Sequence, residues 1–402
     1  MLKNRHVVLG VSGSIAAYKA VHLARRLVEA GAEVWPILTR AATRFVGPLT
    51  FSVLCDHRAI VDMWNASEGG EVNHVELAHR ADLLLLAPTT ADLLARLGMG
   101  RADDPLAAVA LATRAPWIVA PAMESGMWEH ATTQEHVRVL TARGARFVMP
   151  GSGRLASGAS GVGRMAEPDE VLAVALMALT SQDLAGQRVL VTAGPTRERF
   201  DPVRFISNPS SGKMGYALAT MARQRGATVT LVSGPTSLTP PFGVEVVRVE
   251  TTEEMLRACA AHLGAASVFL MAAAPADHRP VTIASSKIKK QAMGRRFAVE
   301  LEGTADILLS LRERLSGRVV VGFAAETEDI AVHATEKLQS KNLDLIVAND
   351  VTRADSGFGT DTNCVTILDR DGGAERLPVL TKELVADKIL DRVVKILTVR
   401  AV

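Results

Sequence analysis

Cysteine is scarce in this chain. Its 402 residues include three, Cys55, Cys259 and Cys364. They lie far apart and none has a neighbouring Cys or His, so neither a zinc spacing nor a disulfide framework can be read. Long apolar runs are missing as well. Segments 83–88 and 171–179 fall far short of the roughly 20 residues that a membrane-spanning helix needs. The opening MLKNRHVVLGVSGS carries no signal-peptide pattern, which makes a cytoplasmic protein the expectation. The formal net charge is only +2, and the concentrated basic surface of a general nucleic-acid binder is not legible.

What is present is a globular composition, with 48% apolar and 22% charged residues. The length predicts two domains. HVVLGVSGS reads as a buried strand and a Gly/Ser turn. IAAYKAVHLARRLVEAGA reads as an amphipathic helix with Ala16, Ala20, Leu23, Leu27 and Val28 at helical spacing. EVWPILT and segments 83–87 and 117–120 read as further strands joined by helical crossovers. The pattern restarts at 188–192, with a helix over 214–226 and strands at 228–232, 269–273, 319–323 and 345–348. This predicts an α/β chain of two Rossmann-like three-layer domains, 1–183 and 184–402. Such a fold could serve any nucleotide-handling protein.

Gly13 and Ser14 lie at a strand-to-helix junction, where backbone N–H groups can hold a phosphate. The motif is neither G-x-G-x-x-G nor a P-loop, and a tight turn with no ligand reads equally well. Thr39, the segment APTTADLLARLGMGRADDPL, the block PAMESGMW and the Gly/Ser-rich GSGRLASGASGVGRM follow later strands. Ligands of such sheets bind beyond the carboxyl ends of the strands.

GSIAAYKA, the His of NHVELAHRAD, PAM-x-x-x-MW and the Gly-rich clamp resemble the flavoprotein cysteine-decarboxylase family, which has a flavodoxin-like fold. From about residue 5 to about 395 the chain resembles the bifunctional coenzyme A biosynthesis family. The resemblance implies FMN against Gly13, Ser14, Ile15, Thr39 and Thr89, with Asp103 nearby, and His74 as catalytic base. It implies that phosphopantothenoylcysteine is oxidised by the flavin, loses CO₂ and takes the electrons back. Two positions depart from the family. Glu124 stands where an Asn contacts the substrate carboxylate, and Ser157 where a Cys donates a proton. A thiol's reference pKa is about 8.5, and a hydroxyl is a far poorer donor.

In the second half, Gly194–Pro195–Thr196 follows a strand and NPSSGKMG, residues 208–215, opens a helix. Small residues at a helix start suit a phosphate or acyl phosphate, and equally an ordinary Ser/Gly loop with a cap. Asp277 in MAAAPADHRP, KIKK at 287–290, Lys337, Lys341 and Asn349–Asp350 come next. A charge run is normally a solvated face. Lysines converging on a cleft would instead neutralise a triphosphate. The resemblance here is to phosphopantothenate–cysteine ligase, which implies CTP, Mg²⁺, 4′-phosphopantothenate and L-cysteine. It implies nucleotide contacts at Met271, Ala272, Ala273, Asp277, Lys287, Ala305, Asp306, Ile307, Leu308, Phe323, Lys337 and Lys341. Asn208 would hold the acyl-cytidylate, and Lys287 would stabilise charge as it forms. The metal ligands stay unknown. The resemblance also implies trimers of the flavin half and dimers of the ligase half.

Two rival readings stand beside the bifunctional enzyme. One is a ligase whose flavin half is degenerate and kept for assembly or regulation. The other is an oxidoreductase of two Rossmann-like domains, which leaves NPSSGKMG and KIKK unexplained.

Overall fold

The structure, a computed structural model, describes residues 2–63, 74–289, 297–326, 330–350, 356–357 and 359–400. The side chains of 325, 326, 330, 331 and 350 are outside this description. Lys290 of the KIKK run and the Asp350 carboxylate therefore fall outside the described residues. The chain divides into two compact units, Met1–Thr180 and Ser181–Val402.

In the first unit, His6–Val11 (β1), Glu33–Leu38 (β2), Leu83–Thr89 (β3), Trp117–Pro121 (β4) and Arg146–Phe147 (β5) form a parallel sheet in the order β2-β1-β3-β4-β5. The strands read as unbroken apolar runs because both sheet faces are covered. Side chains alternate along each strand. Val7, Leu9, Val11, Leu83 and Leu85 enter one core, and Val8, Leu84 and Leu86 enter the other.

The first core is closed by Ala17–Glu29 (α1), Pro48–Cys55 (α2) and Pro168–Leu179 (α8). On α1, Ala17, Ala20, Leu23, Ala24 and Leu27 are buried, one face of a 3.6-residue period. The second core is closed by His74–Arg80 (α3), Ala91–Met99 (α4), Pro105–Ala112 (α5) and Ala131–Ala142 (α7). The short Ser125–Glu129 (α6) follows β4. An antiparallel hairpin, Gly151–Arg154 (β6) with Ser160–Arg164 (β7), stands apart from the sheet.

In the second unit, Arg188–Ala193 (β8), Thr228–Ser233 (β11), Glu245–Arg248 (β12), Val268–Met271 (β13), Val319–Glu326 (β16) and Leu345–Asp350 (β17) are parallel. Val365–Asp369 (β19) and Ala374–Arg376 (β20) add antiparallel at one edge, giving the order β12-β11-β8-β13-β16-β17-β19-β20. Three two-stranded ladders decorate this sheet: Arg197–Arg199 (β9) with Phe205–Ser207 (β10), His278–Pro280 (β14) with Leu301–Gly303 (β15), and Thr362–Asn363 (β18) with Leu380–Thr381 (β21). Lys213–Gln224 (α9) and the helix Lys382–Arg400 cover one face with Val189, Val191, Leu231 and Ile389. Thr252–Leu263 (α10) covers the other with Leu190, Phe269, Cys259 and Ile346. Both units are three-layer α/β structures, as expected.

Candidate functional sites

The first six strands of the second sheet run in the order 3-2-1-4-5-6, and the first sheet runs 2-1-3-4-5. Each reverses direction beside its first strand. Loops leaving that strand and its neighbour in opposite directions open a crevice at the carboxyl edge, where ligands of such sheets bind. In the first unit this is the β1/β3 switch point. Ser12 ties it together, with Oγ 2.8 Å from Pro88 O and accepting the Thr90 N–H at 2.9 Å.

The residues expected to meet FMN divide by role. Gly13, Ser14 and Ile15 form the turn between β1 and α1. The Gly13 and Ile15 N–H groups have no protein acceptor among the described residues. Gly13 presses on Ala41, so a Cβ there would collide. Free donors at the start of a 13-residue helix, in a cradle closed to any side chain, fit a phosphate monoester.

The hydroxyls of Thr39 and Thr89 are buried and face inward. Thr39 Oγ1 accepts from Ala42 N–H at 3.2 Å, and Thr89 Oγ1 donates to Leu86 O at 2.8 Å. They shape the edge through backbone. Asp103 is exposed and paired with Arg101 at 2.6 Å and Arg96 at 3.4 Å. Desolvation opposes its ionisation. Its backbone hydrogen bond and the two arginines overcome that and hold the carboxyl below its ordinary value. His74 opens α3 with its side chain exposed. Asp82 N–H bonds His6 O near the amino ends of β1 and β3, so the start of α3 points toward the carboxyl edge.

Glu124 follows β4 and occupies the N-cap position of α6 without a side-chain capping bond. Ser157 lies in the turn of the β6–β7 hairpin. The two side chains meet, Ser157 Oγ donating to Glu124 Oε2 at 2.9 Å.

In the second unit the loops after β8 and β13 are stitched together. Ala274 N–H donates to Gly194 O at 2.9 Å, and Ala276 N–H to Thr196 Oγ1 at 2.8 Å. A cavity of about 360 Å³ opens there. It is lined by Asn208 and residues 210–214, by residues 272–274, and by Asp277 and Phe323. Asn208 Nδ2 donates to the carbonyls of Ala274 and Pro275 at 3.3 and 2.9 Å, which leaves its carbonyl oxygen for a ligand. Gly212, at φ +80°, turns the chain into α9 with no side chain capping the helix. The first N–H groups of α9 therefore stay available to an anion.

Other expected nucleotide contacts do not line this cavity. Met271, Ile307 and Leu308 are core residues. Ala305 and Asp306 follow Thr304, whose N–H bonds Asp277 O at 2.9 Å, so they stand beside the cavity's rim. Lys341 pairs with Asp306 at 2.8 Å. Desolvation works against the Asp306 carboxylate, yet the Lys341 bond and two helix N–H groups hold its pKa down. Lys337 and Lys287 are exposed. The Lys287 segment is fixed by buried Asp201, which accepts from Ile288 N–H at 3.2 Å and from the Val203 and Arg204 N–H groups at 2.7 Å each.

Several lining residues were missed from the sequence or given no role there. Lys213 lies inside NPSSGKMG. Asn349 lines the cavity with Gly357, Asn363 and Lys382. Ser356 Oγ sits 2.7 Å from Asn349 Oδ1 and 2.9 Å from Asn363 Oδ1. Lys382 had no motif to flag it. Burial pushes the thiols of Cys55 and Cys259 up to about 12, which removes them as nucleophiles. Among the described residues no group of three or more His, Cys, Asp or Glu is placed to hold a metal ion. No described helix is long and apolar enough to cross a membrane.

A flavoprotein family model matches residues 1–180. The DNA/pantothenate metabolism flavoprotein C-terminal domain matches residues 184–397. The coenzyme A biosynthesis bifunctional protein CoaBC of Bacillus subtilis (strain 168) is 45% identical over 397 residues, 98% of this chain and 97% of that protein. The chain belongs to this coenzyme A biosynthesis bifunctional family. The protein of the same name from Mycobacterium tuberculosis (strain ATCC 25618 / H37Rv) is 44% identical over 409 residues, covering 98% of this chain and 97% of that one. A crystal structure of the C-terminal domain of CoaBC is 44% identical, with TM-score 0.46, covering 54% of this chain and 99% of that chain. The family membership spans both units, so the β1/β3 crevice belongs to the flavoprotein unit and the cavity beside α9 to the C-terminal domain.

Proposed function

We propose that the chain performs two consecutive steps of coenzyme A biosynthesis. The second unit joins 4′-phosphopantothenate to L-cysteine at the expense of CTP. The carboxylate attacks the α-phosphate, giving an acyl-cytidylate and pyrophosphate, and the cysteine amine then displaces CMP. The first unit converts the resulting phosphopantothenoylcysteine to 4′-phosphopantetheine and CO₂. The observation that carries the reading is the coexistence, in one chain of this family, of a 2-1-3-4-5 unit with free N–H donors after β1 and a 3-2-1-4-5-6 unit with an anion-ready cavity at its switch point.

In the second unit, the α9 N–H groups and Lys213 would meet phosphate oxygens, with Mg²⁺ held mainly by the triphosphate itself. Asn208, fixed by two carbonyls, would orient the activated acyl group. Lys287, carried on the segment anchored by Asp201, would approach from the rim as charge builds. In the first unit, Gly13 and Ile15 N–H would hold the FMN phosphate, and His74 would move the proton of the reacting cysteine end. Bound FMN supplies an electron sink that makes loss of CO₂ possible. Homo-oligomeric assembly of both units belongs to the same reading.

Purified protein given phosphopantothenate, cysteine, CTP and Mg²⁺ should release pyrophosphate and then CO₂. Pyrophosphate without CO₂, and no flavin bleaching by added phosphopantothenoylcysteine, would favour a second reading, a ligase with a catalytically silent flavin unit. The contact between Glu124 and Ser157 is the observation behind that alternative.

A further inference from the structure

Asp201 divides its carboxylate between two tasks. It is fully buried at the turn of the β9–β10 hairpin. Oδ1 accepts the Val203 and Arg204 N–H groups at 2.7 Å each and so closes the turn. Oδ2 accepts the Ile288 N–H at 3.2 Å and a bond from Arg204 Nη1 at 2.7 Å. Arg204 Nη1 also donates to Ile288 O at 3.1 Å, so both backbone polar groups of Ile288 are held.

Upstream of Ile288, Ala284 N–H donates to Phe200 O at 3.0 Å. Ser285, Ser286 and Lys287 stand exposed between these ties. Among the described residues, no other hydrogen bond or ion pair anchors segment 282–289. The hairpin itself is moored at its base. Arg197 N–H donates to Glu250 O and Glu198 Oε1 accepts the Thr252 N–H, both at 2.8 Å. Its second strand runs directly into Asn208, which is fixed on the Ala274 and Pro275 carbonyls. One hairpin therefore places both Asn208 and Lys287, the first through the chain and the second through the Asp201 carboxylate.

We propose that Asp201 is a positioning residue of the ligase unit, which through Oδ2 sets where Lys287 stands as the acyl-cytidylate forms. The inference rests on the ligase reading and on the charge-stabilising role given there to Lys287. A lysine on an otherwise untethered segment would have to be ordered anew at each turnover. The buried carboxylate supplies that order in advance, and small misplacements of a charge-stabilising group slow a reaction strongly. A carboxylate suits the task because each of its oxygens accepts two bonds here. A side-chain amide has a single acceptor oxygen.

Asp201→Asn separates the two tasks. With its oxygen on the turn, the amide nitrogen faces the Ile288 N–H and the Arg204 guanidinium, donor against donor. The turn, and Asn208 with it, keeps its place while the tie to Lys287 is lost. Ile288→Pro removes the same bond from the other side, leaves the Asp201 carboxylate in the turn, and carries the test if Asp201→Asn does not fold. Full-length variants are given 4′-phosphopantothenate, CTP and Mg²⁺ without cysteine. In a single turnover both should release pyrophosphate about tenfold or more slowly than wild type. Acyl-cytidylate formed beforehand and then mixed with cysteine should react at the wild-type rate in both. Wild-type pyrophosphate release by the variants overturns the inference. Equal slowing of the two steps also overturns it, because that marks general damage to the hairpin rather than displacement of Lys287. Lys287→Ala should show the same one-step defect. If it releases pyrophosphate normally, the role of Lys287 falls and the inference with it. Absence of pyrophosphate from the wild-type protein overturns the ligase reading itself.

Discussion

Lys213 Nζ lies 2.6 Å from Asp361 Oδ1 and 2.8 Å from Gly359 O, so the first residue of α9 grips the segment that brings Gly357 and Asn363 to the cavity. The grip is mutual, because the Lys213 hydrogen bond is the main cause of the lowered Asp361 pKa. Lys213→Ala should both free that segment and remove a cation from the anion end of α9. Pyrophosphate release should fall by about tenfold or more, the scale of losing one charged contact to a phosphate. Asp361→Asn, which keeps the cation, should cost much less. Wild-type ligation by Lys213→Ala would show that the nucleotide phosphates bind elsewhere.

Gly13 offers a test of the flavin cradle. Any side chain there runs into Ala41, so Gly13→Val must push the β1–α1 turn out of shape. The variant should purify without the yellow flavin absorbance. Its pyrophosphate release should match wild type, because the turn and the nucleotide cavity belong to separate compact units and share no residue. Retention of stoichiometric flavin would remove this turn as the phosphate site.

The parts of the fold legible in the sequence were those set by local patterns. Strands such as Leu83–Thr89 and Leu345–Asp350 stand out because burial on both faces demands unbroken apolar runs. The antiparallel edge strands β19 and β20 and the short ladders were not read, since two- to five-residue strands carry too few periods to register. Glu124 and Ser157 were each visible as departures from a motif. Their contact was not, because nothing in sequence spacing joins a strand-end loop to a hairpin turn. Lys382 was invisible for the same reason. It opens the helix Lys382–Arg400, about as far from NPSSGKMG as the second unit allows, and only the sheet topology brings the two together.

Arg225 is a structural centre of the second unit. It is 5% exposed and binds Asp183 at 2.6 Å and Asp387 and Asp391 at 2.9 Å each. These bonds raise its pKa against the cost of its own burial. Arg225→Ala would leave three carboxylates facing one another. The loss should be about 2 kcal/mol, less than for a fully buried pair, because the carboxylates are 29–42% exposed and screened by water. Denaturant unfolding checks the size. High salt should shrink the difference from wild type by screening the residual repulsion.

Lys382 gives the chain a specific pH signature. It is buried, and its ammonium donates to the carbonyls of Gly357 and Thr360. Burial is the main cause of its lowered pKa, the like charge of Lys213 adds to it, and Asp361 and Glu383 work against it. The sign follows from proton counting. Below the folded-state value Lys382 is charged in both states, and the fold bears the full cost of burying it. Between that value and 10.5, the reference for an exposed lysine, the unfolded chain holds more protons than the folded one. Stability must rise with pH across this window. Lys382→Met removes the titrating group and should flatten that rise, whatever offset it causes at lower pH. Lys213→Ala removes the neighbouring cation and frees Asp361. It should move the folded-state value of Lys382 upward and start the rise at higher pH. Urea unfolding of the three proteins across the alkaline range separates these cases. Parallel profiles for wild type and Lys382→Met would mean that Lys382 titrates alike in the folded and unfolded chains, and that the cavity wall does not hold it as a buried cation.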